Sequence, residues 1–263
     1  MSYVIKTLGC KANLSDSQVI ESELQRNGHQ PYQRGVSDDP VTLCIVNSCT
    51  VTDEADWQSR KAAEKLAQEH PHARIVFTGC SAEVDPHKLL KSKGVDYVIG
   101  NRDKQGFAQV LKTLSPQKPS TPQVLGGALG YEQMLSRHPM DREWPLPQFW
   151  ESQPERGEST QLSSARTRVF LKIQEGCNSF CTFCVIPYGR GPNRSLRPRE
   201  IVSHIQDLVT QGIKEVVLTG TNIGEYGLDW SETPMLEDLI RLILNSTTLQ
   251  RLRVSSLDPT EIT

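Results

Sequence analysis

Along the first hundred residues, short apolar runs alternate with stretches of helical periodicity. YVIKTLG (3–9), TLCIVNS (42–48), RIVFTG (74–79) and DYVIG (96–100) are brief and rich in β-branched side chains, which predicts buried strands. Between them, SDSQVIESELQRNG predicts a helix with Ser15 or Asp16 as its N-cap and Gly28 as its stop. TDEADWQSRKAAEKLAQEH opens on a capping pattern and carries apolar residues at helical spacing, and DPHKLLKSKG predicts a shorter helix. Strands alternating with helices predict an open parallel α/β sheet over residues 1–115.

The pattern then lapses. Residues 116–165 are dominated by proline, glycine and polar side chains, as in LGGALG and HPMDREWPLPQFWESQPERGEST, and predict a linker or surface excursion. Trp144 and Trp150 within it suggest that it packs against something. Order returns over 166–263. TRVFLKIQEG (167–176), KEVVLTG (214–220) and LRVSS (252–256) read as strands, with helices over 197–212 and 235–246 between them. That alternation is the first part of a (β/α) barrel. Three strands cannot close one, so the stretch is expected to be a fragment, a truncated product, or a half-barrel that closes against something else.

A hydrophobic fraction of 37% permits a real core, and a formal net charge of −2 means that any nucleic-acid role must rest on local patches. MSYVIKTLGC lacks the basic and apolar regions of a signal peptide, and no apolar run has the length of a membrane span. The expected setting is therefore the cytoplasm, with no membrane association. Structural disulfides are rare there, so seven cysteines call for metal ligation or redox chemistry.

Cys177, Cys181 and Cys184 follow a predicted strand with the spacing C-x3-C-x2-C. Iron–sulfur clusters ordinarily take four thiolates, so three leave one iron with an open coordination position, where a substrate or cofactor binds. The competing readings are a zinc knuckle short of its fourth ligand or three core cysteines. Cys10, Cys49 and Cys80 each lie just beyond the carboxyl end of a predicted strand, and in a parallel sheet those ends share one edge. Cys44, inside a strand, reads as a small buried hydrophobe.

The spacing around Cys177 resembles that of the radical S-adenosylmethionine superfamily. Together, GCKANLSDS, NSCTVT, GCSAEV, FLKIQEGCNSFCTFCVIPYGRG and LRVSSLDP resemble the methylthiotransferase family in family order. The resemblance implies two [4Fe–4S] clusters. Cys10, Cys49 and Cys80 would bind an auxiliary cluster in an amino-terminal domain. Cys177, Cys181 and Cys184 would bind the radical cluster, whose open iron chelates S-adenosylmethionine and cleaves it to a 5′-deoxyadenosyl radical. Phe183 matches the position beside the adenine, and LTGTNIGEYG (218–227) resembles a stretch close to the same cofactor. The implied enzyme is a tRNA methylthiotransferase that needs an electron donor and a sulfur source.

Family members modify an adenosine beside the tRNA anticodon or an aspartate of a ribosomal protein. LGCKAN, with Lys11 after the first cysteine, and CVIPYGRGPNRS look most like the branch acting at C2 of N6-threonylcarbamoyladenosine, rather than the isopentenyladenosine or ribosomal branches. Arg190, Arg194, Arg197 and Arg199 form a basic segment suited to phosphates or splayed bases, or simply a solvated loop. Family members usually continue past residue 263 into further barrel strands and an RNA-gripping β domain. A catalytically inactive iron–sulfur or zinc-binding fragment is the alternative of another class.

Overall fold

The computed structural model describes all residues except 34, 36–38, 105, 116, 128–135, 137, 148–167, 232–234 and 262–263. The chain forms two compact units, Met1–Pro145 with Phe180–Gly191, and Leu146–Ser179 with Pro192–Thr263. The sequence reading had placed Phe180–Gly191 with the residues that follow it, whereas the structure groups it with the first unit.

In the first unit, strands β1 (Ser2–Thr7), β2 (Gln30–Pro31), β3 (Val41–Ser48), β4 (Arg74–Gly79), β5 (Tyr97–Ile99) and β6 (Gln123–Leu125) form one parallel sheet in the order β2-β1-β3-β4-β5-β6. The reversal of strand order about β1 puts a crevice beyond the carboxyl ends of β1 and β3, the usual ligand position in such sheets. β3 is buried on both faces, which explains its near-continuous apolar run. Leu43 and Ile45 pack with Ile20 and Leu24 of helix α1 (Lys11–Arg26), while Cys44 and Val46 pack with Ala63 and Leu66 of α2 (Asp53–Glu69).

Three further short helices are α3 (Cys80–Val84), α4 (Pro86–Leu90) and α5 (Phe107–Lys112). β6 lies within the stretch read from sequence as a linker or surface excursion, and its residues Gln123–Leu125 pair with Tyr97–Ile99 of β5. Trp144 does pack: its ring lies under the guanidinium groups of Arg102 (5.5 Å) and Arg142 (5.1 Å). Trp150 lies outside the described residues. The last helix of the unit is α6 (Ile186–Arg190).

The second unit holds a three-stranded parallel sheet of β7 (Arg168–Lys172), β10 (Glu215–Thr219) and β11 (Arg251–Val254), with β10 central. A two-residue antiparallel pair, β8 (Gln174–Glu175) with β9 (Arg194–Ser195), follows β7. Helices α7 (Pro198–Thr210) and α8 (Leu236–Ser246) bury Ile201, Ile205, Leu239 and Ile243 against β7 and β10. The predicted strand-helix-strand-helix-strand order is therefore present. Among the described residues no helix is long and apolar enough to cross a membrane.

Candidate functional site

β3 pairs with β1 on one side and β4 on the other, with Thr7 and Thr78 both opposite Asn47. Cys10, Cys49 and Cys80 therefore leave neighbouring strand ends, about 4.8 Å apart per strand, on one edge of the sheet. All three are free thiols; Cys49 and Cys80 are buried and Cys10 is exposed. Cys10 is the N-cap of α1 and makes no side-chain capping bond, so its sulfur stays available at the positive end of the helix dipole. Sequence reasoning put this cap at Ser15 or Asp16. Both instead lie inside the helix, buried, because the chain turns helical directly after Cys10.

Two glycines make the edge possible. Gly9 has φ of +93°, and a Cβ there would sit 2.5 Å from the Cβ of Cys49. Gly79, at φ of +100°, would place a Cβ 2.7 Å from the backbone nitrogen of Ser48. Burial raises the Cys80 thiol above its ordinary range, while the nearby Arg190 and Lys104 cations oppose that shift. Among the described residues, no three Cys, His, Asp or Glu side chains converge tightly enough to hold a single metal ion. A multi-iron cluster is bonded at separate corners, and free thiols on three successive strand ends suit that requirement.

Buried polar groups fix this edge from beneath. The Asn13 amide donates from Nδ2 to the carbonyls of Leu8 (2.7 Å) and Ser48 (2.8 Å), one on each cysteine-bearing strand end. Asn47 Nδ2 donates to the Asn13 carbonyl (2.9 Å) and to Ser17 Oγ (2.9 Å). The Cys49 amide donates to Ser59 Oγ (3.3 Å), and Ser81 Oγ to Asp56 Oδ1 (2.6 Å), both acceptors lying on α2. Sequence reasoning missed these residues, since nothing local marks an asparagine or serine inside a helix as a scaffold.

Of the second cysteine group, Cys181 and Cys184 belong to the first unit and Cys177 to the second. The Cys184 amide donates to the Cys181 carbonyl (2.8 Å), a tight turn that puts both thiols on its rim. Phe183, between them, is 92% exposed, so its ring face is open to a planar ligand. In the second unit, Cys177 Sγ lies 3.7 Å from both Glu225 Oε1 and Asn222 Nδ2. Glu225 also accepts from the Asn178 amide (3.1 Å) and Ser179 Oγ (2.8 Å). LTGTNIGEYG thus supplies two side chains that fix the loop bearing Cys177. Two members of the basic segment are withdrawn from any ligand. Arg190 is 1% exposed and Arg194 9%, while Arg197 and Arg199 stay exposed.

Comparison with known proteins matches residues 2–100 to "Uncharacterized protein family UPF0004" and residues 171–255 to the "Radical SAM superfamily". The threonylcarbamoyladenosine tRNA methylthiotransferase MtaB of Aquifex aeolicus is 34% identical, over 98% of this chain and 56% of its own length. The protein of the same name from Bacillus subtilis is 32% identical, over 98% of this chain and 51% of its own. The tRNA-2-methylthio-N(6)-dimethylallyladenosine synthase of Clostridium beijerinckii is 27% identical, over 99% of this chain and 53% of its own. The chain thus spans about half the length of the curated relatives it matches. Among solved structures, the radical S-adenosylmethionine methyltransferase TsrM of Kitasatospora setae superposes with a TM-score of 0.50 at 12% identity, over 93% of this chain and 50% of that one, a likeness of fold. The two cysteine groups thus fall inside the two matched regions, and relatives named as tRNA methylthiotransferases align along almost the whole chain.

Proposed function

We propose that this chain is the cluster-bearing portion of an enzyme that methylthiolates C2 of N6-threonylcarbamoyladenosine in tRNA. The observation that carries the reading is the pairing of three free thiols on one sheet edge with a C-x3-C-x2-C turn inside the radical S-adenosylmethionine match. Cys177, Cys181 and Cys184 would hold one [4Fe–4S] cluster, and Cys10, Cys49 and Cys80 a second. When bound, these groups with S-adenosylmethionine supply the radical and sulfur chemistry that acid–base side chains cannot.

The remaining work falls to the protein. Burial of Cys49 and Cys80 shields two of the three thiols on the auxiliary edge from water. Asn222 and Glu225 orient Cys177. The exposed Phe183 ring offers a stacking face for the cofactor's adenine. Arg197 and Arg199 are the basic-segment side chains still available to RNA phosphates. The threonylcarbamoyl assignment is supported by Lys11 after the first cysteine and by relatives of that name at 34% and 32% identity. The electron donor and sulfur source are left as unnamed partners.

Nucleoside analysis of tRNA tests the substrate. A strain lacking the gene should lose methylthio-threonylcarbamoyladenosine and accumulate its unmodified precursor. The full-length gene should restore it, and a Cys10→Ala version should not. Persistence of the modified nucleoside in the deletion strain, with loss of the isopentenyl methylthio form instead, would overturn the assignment.

A further inference from the structure

Arg190 is a fully buried arginine, 1% exposed, on a helix of only five residues that begins two positions after Cys184. A guanidinium is costly to remove from water unless its donors are met. Here Nη2 donates to Asn13 Oδ1 and to Asp16 Oδ2 (3.1 Å), two positions on α1, the helix that Cys10 caps. Lys104 Nζ shares the same Asp16 oxygen at 2.7 Å. The other side of the Asn13 amide donates to the carbonyls of Leu8 and Ser48, just ahead of Cys10 and Cys49. The third strand end is reached one residue away: Gly189 lies against Cys80 so closely that a Cβ there would sit 3.5 Å from the cysteine Cβ. The Gly189 carbonyl also accepts from Asn101 Nδ2 at 3.0 Å.

We infer that Arg190 is a positioning residue that ties the turn carrying Cys181 and Cys184 to the sheet edge carrying Cys10, Cys49 and Cys80, with Asn13 as the relay. The inference rests on reading both cysteine groups as cluster ligands. Both acceptors are met by the single nitrogen Nη2, so a lysine ammonium at this position could keep part of the tie while losing the planar guanidinium. The tie makes the geometry of the Cys181–Cys184 turn depend on that of the sheet edge, within a single packed unit.

Hydrogen–deuterium exchange on the full chain, before and after anaerobic reconstitution with iron and sulfide, tests it. In Arg190→Met, amides in two separate segments, 8–14 and 184–191, and the Cys49 amide besides, should exchange about tenfold faster or more. Interior amides of β3 at 44–46 should not change. Arg190→Lys should recover part of the protection, and it carries the test if the methionine variant is insoluble. After reconstitution, the electron paramagnetic resonance signature of the reduced cluster on Cys10, Cys49 and Cys80 should shift in Arg190→Met and return toward wild type in Arg190→Lys. Acceleration confined to 184–191 would overturn the tie, as would an equal rise in the β3 interior or an unchanged cluster signature. Wild-type protein that takes up no iron would defeat the cluster reading instead, while the exchange result would still stand or fall alone.

Discussion

At the scale of single residues, the site depends on what is missing as much as on what is present. Gly9 has no side chain because Cys49 occupies that space, and its positive φ adds strain for any other residue. Gly9→Ala should displace Cys49 and reduce bound iron by about half, with the rest retained on the other group; full iron loading by the variant would contradict this. Cys44 shows the opposite case of a cysteine kept from chemistry. Burial pushes its thiol from an ordinary value of 9.0 up to about 12. A folded-state value above the unfolded one means that the contribution to stability is complete below about pH 9 and is lost as pH rises from there toward about 12. Cys44→Ala should therefore flatten the alkaline fall in stability over that window, as read by thermal melts. An unchanged alkaline slope would count against the burial argument.

At the scale of elements, the strands were legible and several of their partners were not. The runs around β3 and β4 are buried on both faces, so their apolar character survives in the sequence. β6 has only three residues, none of them buried, and leaves no such mark. The start of α1 was hidden because a cysteine is an unusual N-cap, while Ser15 and Asp16 resemble caps but lie buried inside the helix, Asp16 bonded to Lys104 and Arg190. The cap of α2 was visible: Thr52 Oγ1 accepts from the Ala55 amide at 3.1 Å. Because α2 also presents Ser59 and Asp56 to the cysteine edge, Thr52→Ala should do more than cost about 1 kcal/mol of stability. The melting temperature should fall by roughly 2–4 °C, and exchange at the Cys49 amide should quicken beyond that of the β3 interior. A melting change without that local effect would separate α2 from the site.

At the scale of the whole molecule, the cysteine spacings carried most of the functional signal, because thiolates are the usual ligands of iron–sulfur clusters. The scaffold behind them was not legible. Arg190 meets Asn13 across 177 positions and Asp16 across 174, and no local pattern encodes a bond over that separation. The chain's match to about half of each curated relative takes in both cysteine groups. The account stands on those two groups acting as separate sites. The most direct measurement is the iron and sulfide content of the anaerobically reconstituted chain, with Mössbauer spectra, for wild type, Cys10→Ala and Cys181→Ala. The account predicts about eight irons for wild type and about four for each variant, all in four-iron clusters. Bound zinc without iron, or a single cluster abolished by either substitution, would contradict it.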